Sequence, residues 1–599
     1  MQAVAQTDRP NILWIVSEDN SPFLGCYGDT YATTPRLDGL ASEGVLYERA
    51  FSNAPVCAPS RSTLITGVFA TSMGTENMRS QYPIPDLIRL FPEYLRKAGY
   101  YTTNNAKTDY NFLPLDKRME AAWDESSKKA TYKNRKPGQP FFAVFNTSIS
   151  HESSIHTPLD TLLHDPEKAP LPPYHPPTAE MKRDWAQYYD RVTMMDKWVG
   201  DILDELAREG LEDNTIVFYF SDHGGVLGRS KRFLYESGLR VPLIIRFPKK
   251  YQHLAPGAPG TREGRLVSFV DFAPTVLALA GIPIPAYMQG KPFLGEAPAK
   301  PAEYVFSFRG RMDERMDLSR SVRDTTFRYI CNFMPHKIYG QYLEYLWRAP
   351  SMQSWEKAYK KTQVDPFQAA FWNPKPFEEL YDTKSDPDNV HNLARDPAYR
   401  SVLERMRQAL SDWIIASNDA GFVPEPMVSV IVETRPMYEY AQSKMYPLDR
   451  IAETARIAAA GHTGSLDVLI SRLNDSNPVV RYWAATGCRI LEEAATPAKP
   501  MLLNLLNDSN AALRIAAAEA LYYLGEADLA VEVLIESIQA DNVMARVQAL
   551  NVLQTLGSAS LPAVEVARKL VASDSQSKEY DVRAARGFIK QMTQSEYGD

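Results

Sequence analysis

Short apolar runs that stop at polar residues recur through the first half of the chain. Asn11–Val16, Phe141–Asn146 and Thr215–Phe220 are nearly unbroken in their hydrophobicity, and Gly99–Thr103 forms a fourth, weaker run. Runs of this length without strict alternation predict strands buried on both faces, as in a parallel sheet. Between them the spacing turns helical. Pro35–Gly44, Leu87–Ala98 and Val267–Gly281 each read as a helix, and Trp185–Glu209 sets Tyr188, Val192, Met195, Trp198 and Leu203 on a core-facing side. The strands end in Ser17-Glu18-Asp19-Asn20, in Asn104 to Asp109, in Thr147 to Ser153 and in Ser221-Asp222-His223-Gly224. Open α/β sheets collect ligands at the C-terminal ends of their strands, so chemistry is expected in these tails.

From about Leu448 the pattern changes to Ala- and Leu-rich helices. Asp475-Ser-Asn-Pro-Val-Val-Arg481, Asp508-Ser-Asn-Ala-Ala-Leu-Arg514 and Asp541-Asn-Val-Met-Ala-Arg546 recur with their Arg residues 33 and 32 positions apart. Arg450 and Arg583 mark degenerate end repeats. The period predicts stacked helix pairs and resembles HEAT repeats. Such a solenoid binds a partner, packs on its own catalytic domain or joins copies into a homo-oligomer.

Composition adds limits. A chain of 599 residues exceeds one hydrophobic core. Hydrophobic and charged shares of 44% and 23% suit a soluble globular protein. No apolar run reaches the ~18 residues of a membrane span. A net charge of −7 argues against nucleic-acid binding and asks any anionic substrate to find a local basic site. Cys26, Cys57, Cys331 and Cys488 show neither metal spacing nor a disulfide framework. The opening Met-Gln-Ala-Val-Ala-Gln carries no signal peptide, which by itself reads as a cytoplasmic protein.

The densest chemistry lies in Cys57-Ala-Pro-Ser-Arg61-Ser-Thr-Leu-Ile-Thr-Gly67. Pro59 is tolerated in the first turn of a helix, which puts Cys57 at a helix N-terminus, where free N–H groups favour negative charge. Arg61 lies one turn on and can face the same anion. Glu18 and Asp19, adjacent carboxylates at a strand end, suit a hard cation such as Ca²⁺, although an acidic pair alone is more often a solvated loop.

The Cys57 segment resembles the type I sulfatase motif, Cys-x-Pro-Ser-Arg-x-x-x-x-Thr-Gly, at every fixed position. Ser221-Asp222-His223-Gly224, with Lys231, Tyr235-Glu236 and Arg240-Val-Pro beyond, matches a second family signature. Glu378 to Asp382 and Asp386 to Ala394 resemble the family's C-terminal subdomain, so the likeness runs from about Pro10 to about Gly421. The resemblance implies an α/β fold: an alkaline-phosphatase-like sandwich with a large, mostly parallel central sheet, then a smaller C-terminal sheet subdomain. The expected domains are 10–300 catalytic, 301–425 subdomain, 426–447 linker and 448–599 all-α HEAT-like solenoid.

In that family a maturation enzyme oxidises the Cys to formylglycine, whose hydrate attacks the sulfur of a sulfate ester. The resemblance therefore implies Cys57 as the formylglycine precursor, Arg61, Lys107 and Lys231 as sulfate ligands, and His151 as the acid for the leaving alcohol, with His156 its competitor. It implies Ca²⁺ held by Glu18, Asp19, Cys57, Asp222 and His223. Imidazole is an unusual calcium partner, so His223 has substrate sulfate as its alternative role. Asp109 stands where the family has a His and is the replacement base or has another task. The mixed run at Arg309–Asp317 offers Arg311, Asp313 and Arg315 as substrate contacts, with His336 beyond, because Arg forks suit sulfate. The expected function is sulfate release from a sulfated carbohydrate in the periplasm or outside the cell. Phosphonate or phosphate monoester hydrolysis, sulfamate cleavage and a catalytically idle glycan- or protein-binding role are the alternatives.

Overall fold

The computed structural model describes residues 9–573 and 579–594. Met1–Gln6, which bear on export, lie outside the described residues.

Nine strands form one twisted sheet, in the order Arg262–Ser268, Val45–Phe51, Leu243–Arg246, Thr215–Ser221, Asn11–Ser17, Phe141–Thr147, Tyr101–Asn105 and Glu125–Ser126, with Arg240–Val241 paired to Val45–Phe51. Asn11–Ser17 is central and parallel to both neighbours, so Ser17 stands in register with Thr147 and with Ser221. Leu243–Arg246 is antiparallel to its two partners. The central strand is buried throughout. Its alternate residues face opposite layers. Trp14 packs edge-on against Phe142 and Phe220 at ring separations of 5.2 and 5.1 Å. Leu13 and Ile15 face the helix Ala179–Arg208, whose Tyr188, Val192, Met195 and Val199 are buried with them.

The expected elements form with shifted ends. The helix anticipated at Leu87–Ala98 is confined to Pro92–Lys97. Val267 and Ser268 belong to a strand, and their helix begins at Phe272 and ends at Leu279. The β-branched Val267 pairs with Ala50 in the sheet, which overrides the helical spacing.

A second, antiparallel sheet of four strands follows, Val305–Arg309, Ser319–Arg323, Phe327–Asn332 and Glu378–Asp382, with the helix Arg400–Ala416 against it. Residues 426–447, expected as a linker, contain the helices Glu425–Ile431 and Met437–Ala441, with Met427, Val428, Met437 and Tyr440 buried. One apolar core continues from the large sheet through the small one into the first repeats, as far as Leu521. Later repeats have a core of their own.

The repeat motif has a physical account. Asn477, Asn510 and Asn542 each cap the helix that follows, accepting from the backbone N–H of Val479, Ala512 and Ala545. Between repeats, Arg450 reaches Asp475, Arg481 reaches Asp508 at 2.9 Å and Arg546 reaches Asp581 at 2.7 Å. Arg450 thus starts this ladder. Arg583 leaves it and turns inward, 2.9 Å from Glu314. The solenoid packs on its own chain: Trp483 Nε1 donates to the Phe422 carbonyl at 2.9 Å, and Asn551 accepts from Met316 N at 3.0 Å.

Candidate active site

The parallel register brings three tails to one edge of the sheet. Asp19 adopts a left-handed backbone, φ 53°, which turns the chain sharply after the central strand. Its N–H donates to Asp222 Oδ1 at 3.1 Å, and its Oδ2 accepts the N–H of Glu152, next to His151, at 2.8 Å. Gly224 ends the Ser-Asp-His-Gly tail because a Cβ there would lie 2.2 Å from the Ser237 carbonyl oxygen.

Cys57 opens the helix Cys57–Thr66 as expected and is 1% exposed. Its Sγ lies 3.3 Å from His223 Nε2, 3.9 Å from Asp19 Oδ1 and 4.0 Å from Lys231 Nζ. Lys231 donates to Asp19 Oδ2 at 2.6 Å and stands 3.4 Å from His151 Nε2. Lys107 pairs with Glu18. Arg61 donates from Nε to Asp222 Oδ2 at 2.9 Å and from Nη1 to Asn146 Oδ1 at 2.8 Å, while its buried Nη2 has no hydrogen-bond partner among the described residues.

The electrostatics follow from this crowding. Burial and Asp222 push the Cys57 thiol pKa up, but Lys107, Lys231 and His223 outweigh them and it is lowered. Burial opposes a charge on His223, yet Asp222 and Asp19 lift its pKa to about 10. Burial also opposes ionisation of Asp222, and His223 and Arg61 hold it at about 2. The place built around Cys57 is one for negative charge.

His151 and His156 flank the same Tyr345 ring but take different partners. The Ser153 N–H donates to His151 Nδ1 at 3.2 Å, which leaves the neutral ring's proton on Nε2, beside Lys231. His156 stacks edge-on with Tyr345 at 4.7 Å, and its pKa falls to about 4, chiefly by burial. Asp109 takes both Arg79 nitrogens, at 3.2 and 3.3 Å, and lies 3.8 Å from Lys107. Burial raises its pKa, and these two cations more than reverse the effect.

The 309–317 run is an internal charge lattice. Arg311 forks onto Glu425, with one contact of 2.9 Å, and Arg315 donates to the Tyr342 carbonyl; both are nearly inaccessible. The His336 side chain, 7% exposed, lies 3.9 Å from Glu519 of the repeats. Asp313 alone connects to the site, through Arg232 at 2.8 Å. The sequence reading missed Glu152 and Arg232, which form a bidentate pair at 2.8 and 2.9 Å, and Asn146. Their signals were present: Glu152 follows His151, Arg232 follows Lys231, and Asn146 ends a strand. Together they make a buried chain of opposite charges: Lys231 to Glu152 at 3.5 Å, Glu152 to Arg232, Arg232 to Asp313, and Asp313 to Arg583 of the repeats at 3.6 Å.

Glu18, Asp19, Cys57 and His151, and likewise Asp19, Cys57, Asp222 and His223, each place one ligand atom apiece within 4.8 Å of one another. Three carboxylates converging there fit a hard divalent cation, and His223 is the odd donor. Among the described residues no helix is long and apolar enough to cross a membrane.

Comparison with known proteins agrees with this geometry. The sulfatase family profile matches residues 10–282, and the HEAT-repeat profile matches 466–554. An ulvan-active sulfatase of Formosa agariphila is 39% identical over 467 residues, covering 70% of this chain and 77% of that protein. Human N-sulphoglucosamine sulphohydrolase is 26% identical, covering 69% and 91%. A phosphonate monoester hydrolase from Silicibacter pomeroyi shares the fold, with TM-score 0.52 at 19% identity over 69% of this chain and 97% of that one. The large mixed sheet, the small antiparallel sheet and the helical tail are thus an alkaline-phosphatase-like catalytic unit joined to HEAT-type repeats, and the chain belongs to the sulfatase family.

Proposed function

We propose that this protein removes sulfate from a sulfated polysaccharide of the ulvan class. The observation that carries the reading is Arg61 Nη2, a buried donor without a partner among the described residues, beside a cysteine ringed by Lys107, Lys231 and His223. An orphaned guanidinium N–H costs free energy until an anion oxygen meets it. A calcium ion held by Glu18, Asp19, Asp222 and His223 would neutralise sulfate charge, and formylglycine made from Cys57 by a maturation enzyme would supply the nucleophilic hydroxyl. Arg61 and Lys107 orient the sulfate. Lys231 takes the bridging oxygen, and His151 Nε2 gives its proton to the departing sugar oxygen. Asp109 fixes Arg79 and Lys107. The ulvan assignment is supported by the 39% identical relative. A polymeric substrate fits a reaction in the periplasm or outside the cell.

The test joins two measurements on protein co-produced with a maturation enzyme: the mass of the Cys57 peptide, and sulfate released from ulvan oligosaccharides with Ca²⁺ or with chelator. Formylglycine with Ca²⁺-dependent release is expected. Converted Cys57 with phosphonate or phosphate ester turnover and no sulfate release overturns the reading.

A further inference from the structure

We propose that the helical repeats form the outer wall of the substrate cleft and bind the sugars that flank the sulfated one; this rests on the sulfatase reading above. A cleft of about 1280 Å³ lies between the catalytic rim and the repeats. On the rim it is lined by the turn at Arg79, by Tyr345 and by Arg348, and on the repeats by Asp541, Val543 and Tyr580. Its inner end adjoins the reaction centre. Arg79 holds Asp109, and the Tyr345 ring is 6.3 Å from the His151 ring. A sugar chain continuing away from the sulfated residue therefore runs between these walls. A site for one small ligand occupies about 300–1000 Å³, so this cleft has room for more than a single sugar.

The lining carries both signs, Arg79 and Arg348 on the rim with Glu433, Asp541 and Glu579 across the cleft, so it fits a polyhydroxylated chain whose anionic groups are spaced apart. The Arg79 and Arg348 side chains are 50% and 53% exposed, and their planar forks match carboxylate and sulfate oxygens. Each already holds one acid on its inner side, Arg79 meeting Asp109 at 3.2 Å and Arg348 meeting Glu344 at 3.2 Å, while Glu344 also lies 2.9 Å from Arg586 and Glu425 holds Arg311. Tyr345 carries Arg348 over its face at 5.2 Å and offers an aromatic edge to a sugar ring.

The repeat sequence itself departs from its pattern here. Asp475 and Asp508 each accept the N–H of an Asn two residues on, at 2.9 and 2.8 Å, and each also holds an Arg of the preceding repeat. In the third repeat the loop is one residue shorter, and Asn542 follows Asp541 directly. Among the described residues, the Asp541 carboxylate takes neither the capping amide nor Arg514, whose guanidinium donates instead to the Asp508 carbonyl at 2.7 Å. Asp541 is exposed in the cleft, where a carboxylate accepts from sugar hydroxyls. The loop is also pinned to the catalytic side, since Asn542 Nδ2 donates to the Pro426 carbonyl at 3.0 Å and to Ser429 Oγ at 2.9 Å. The wall is therefore pre-formed, which limits the entropy lost on binding a flexible chain.

The test compares kcat/KM for a hexasaccharide and a disaccharide fragment of ulvan in the full, matured enzyme. Val543→Trp fills the cleft from the repeat side, and Arg348→Ala removes a fork from the rim. Each is expected to lower the hexasaccharide-to-disaccharide ratio about tenfold, the loss of one good contact. A melting temperature within a few degrees of the parent shows that the fold survives. A ratio equal to the parent's in both variants overturns the inference while leaving the sulfatase reading intact. Sulfate release from neither fragment by the parent enzyme defeats the sulfatase reading and this inference with it.

Discussion

The catalytic edge and the helical repeats use the same residue types in opposite ways. Around Cys57, Arg61, Lys107, Lys231 and His223 converge on Asp19, Asp222 and Glu18, all deeply buried except Lys107, and one Arg61 nitrogen stays without a partner among the described residues. In the repeats, Arg450, Arg481 and Arg546 each meet one Asp of the neighbouring repeat, partly exposed, and only the step from Arg514 to Asp541 breaks this ladder among the described residues. Convergence in low dielectric shifts proton affinities and readies a place for an anion. Periodic one-to-one pairing stabilises stacking and readies nothing. Around Cys57 the charges converge on one buried point, and along the repeats they are spread one pair to a level.

The largest test of this contrast is Cys57→Ala. Removing the group at the focus is expected to lower sulfate release by at least ~1000-fold, measured by ion chromatography, with the unfolding midpoint nearly unchanged. Lys231→Met follows. It keeps the volume but leaves Asp19 and Glu152 without the ammonium they share, so a loss of about 3 kcal/mol in urea unfolding accompanies an activity loss of ~100-fold or more. Equal stability of this variant and the parent would show that the site does not depend on converging charge.

Arg583→Ala and Arg546→Ala set the two regimes side by side. Arg583 ends the chain of charges leading from Lys231, and its loss is expected to lower kcat about threefold or more. Arg546 holds only Asp581 and a loop, so its loss costs about 1 kcal/mol, read as faster hydrogen exchange in the last helices, with kcat kept. Equal kcat in the two variants removes the distinction. An effect that shows only as pH changes is expected at Glu76, buried near Arg320 and Asp419. Burial lifts its pKa to about 8 against an ordinary 4.5. The native state then binds the proton that the unfolded chain releases, so native stability falls as pH rises from 4.5 through 8. Glu76→Gln should remove that loss: the variant's advantage in melting temperature grows from pH 5 to pH 8 and then levels off.

Much of this was legible in the sequence because strands buried on both faces announce themselves as unbroken apolar runs. Parallel register then forces Glu18, Asp19, His151, Asp222 and His223 to one edge. The Cys57 helix and Lys231 were equally readable from local motifs. The Arg309–Asp317 run misled because a mixed charge stretch has the same composition whether it faces solvent, ligand or another layer of protein. Only the return of the repeats onto Glu314 and Met316 decides among these. Glu152 and Arg232 stayed hidden for a related reason. Their pairing joins tails of two different strands, and nothing within either tail names the other.

The position of Cys57, 1% exposed and far along the chain from the helix Tyr580–Gln594, sets an order in time. About 165 residues separate Cys57 from Asp222, at the end of the last strand to join beside Asp19, and a ribosome adding roughly 5–20 residues per second covers them in about 8–33 s. During that interval the thiol is synthesised, but Arg583 and the last repeats that close over the catalytic rim do not yet exist. A reagent or enzyme that must touch Cys57 therefore works against a clock: early in synthesis the residue is accessible, and once the strands flanking Asp19 have joined, it is sealed. Slowing elongation between Gly67 and Asp222 lengthens this window, and the yield of modified Cys57 records its length.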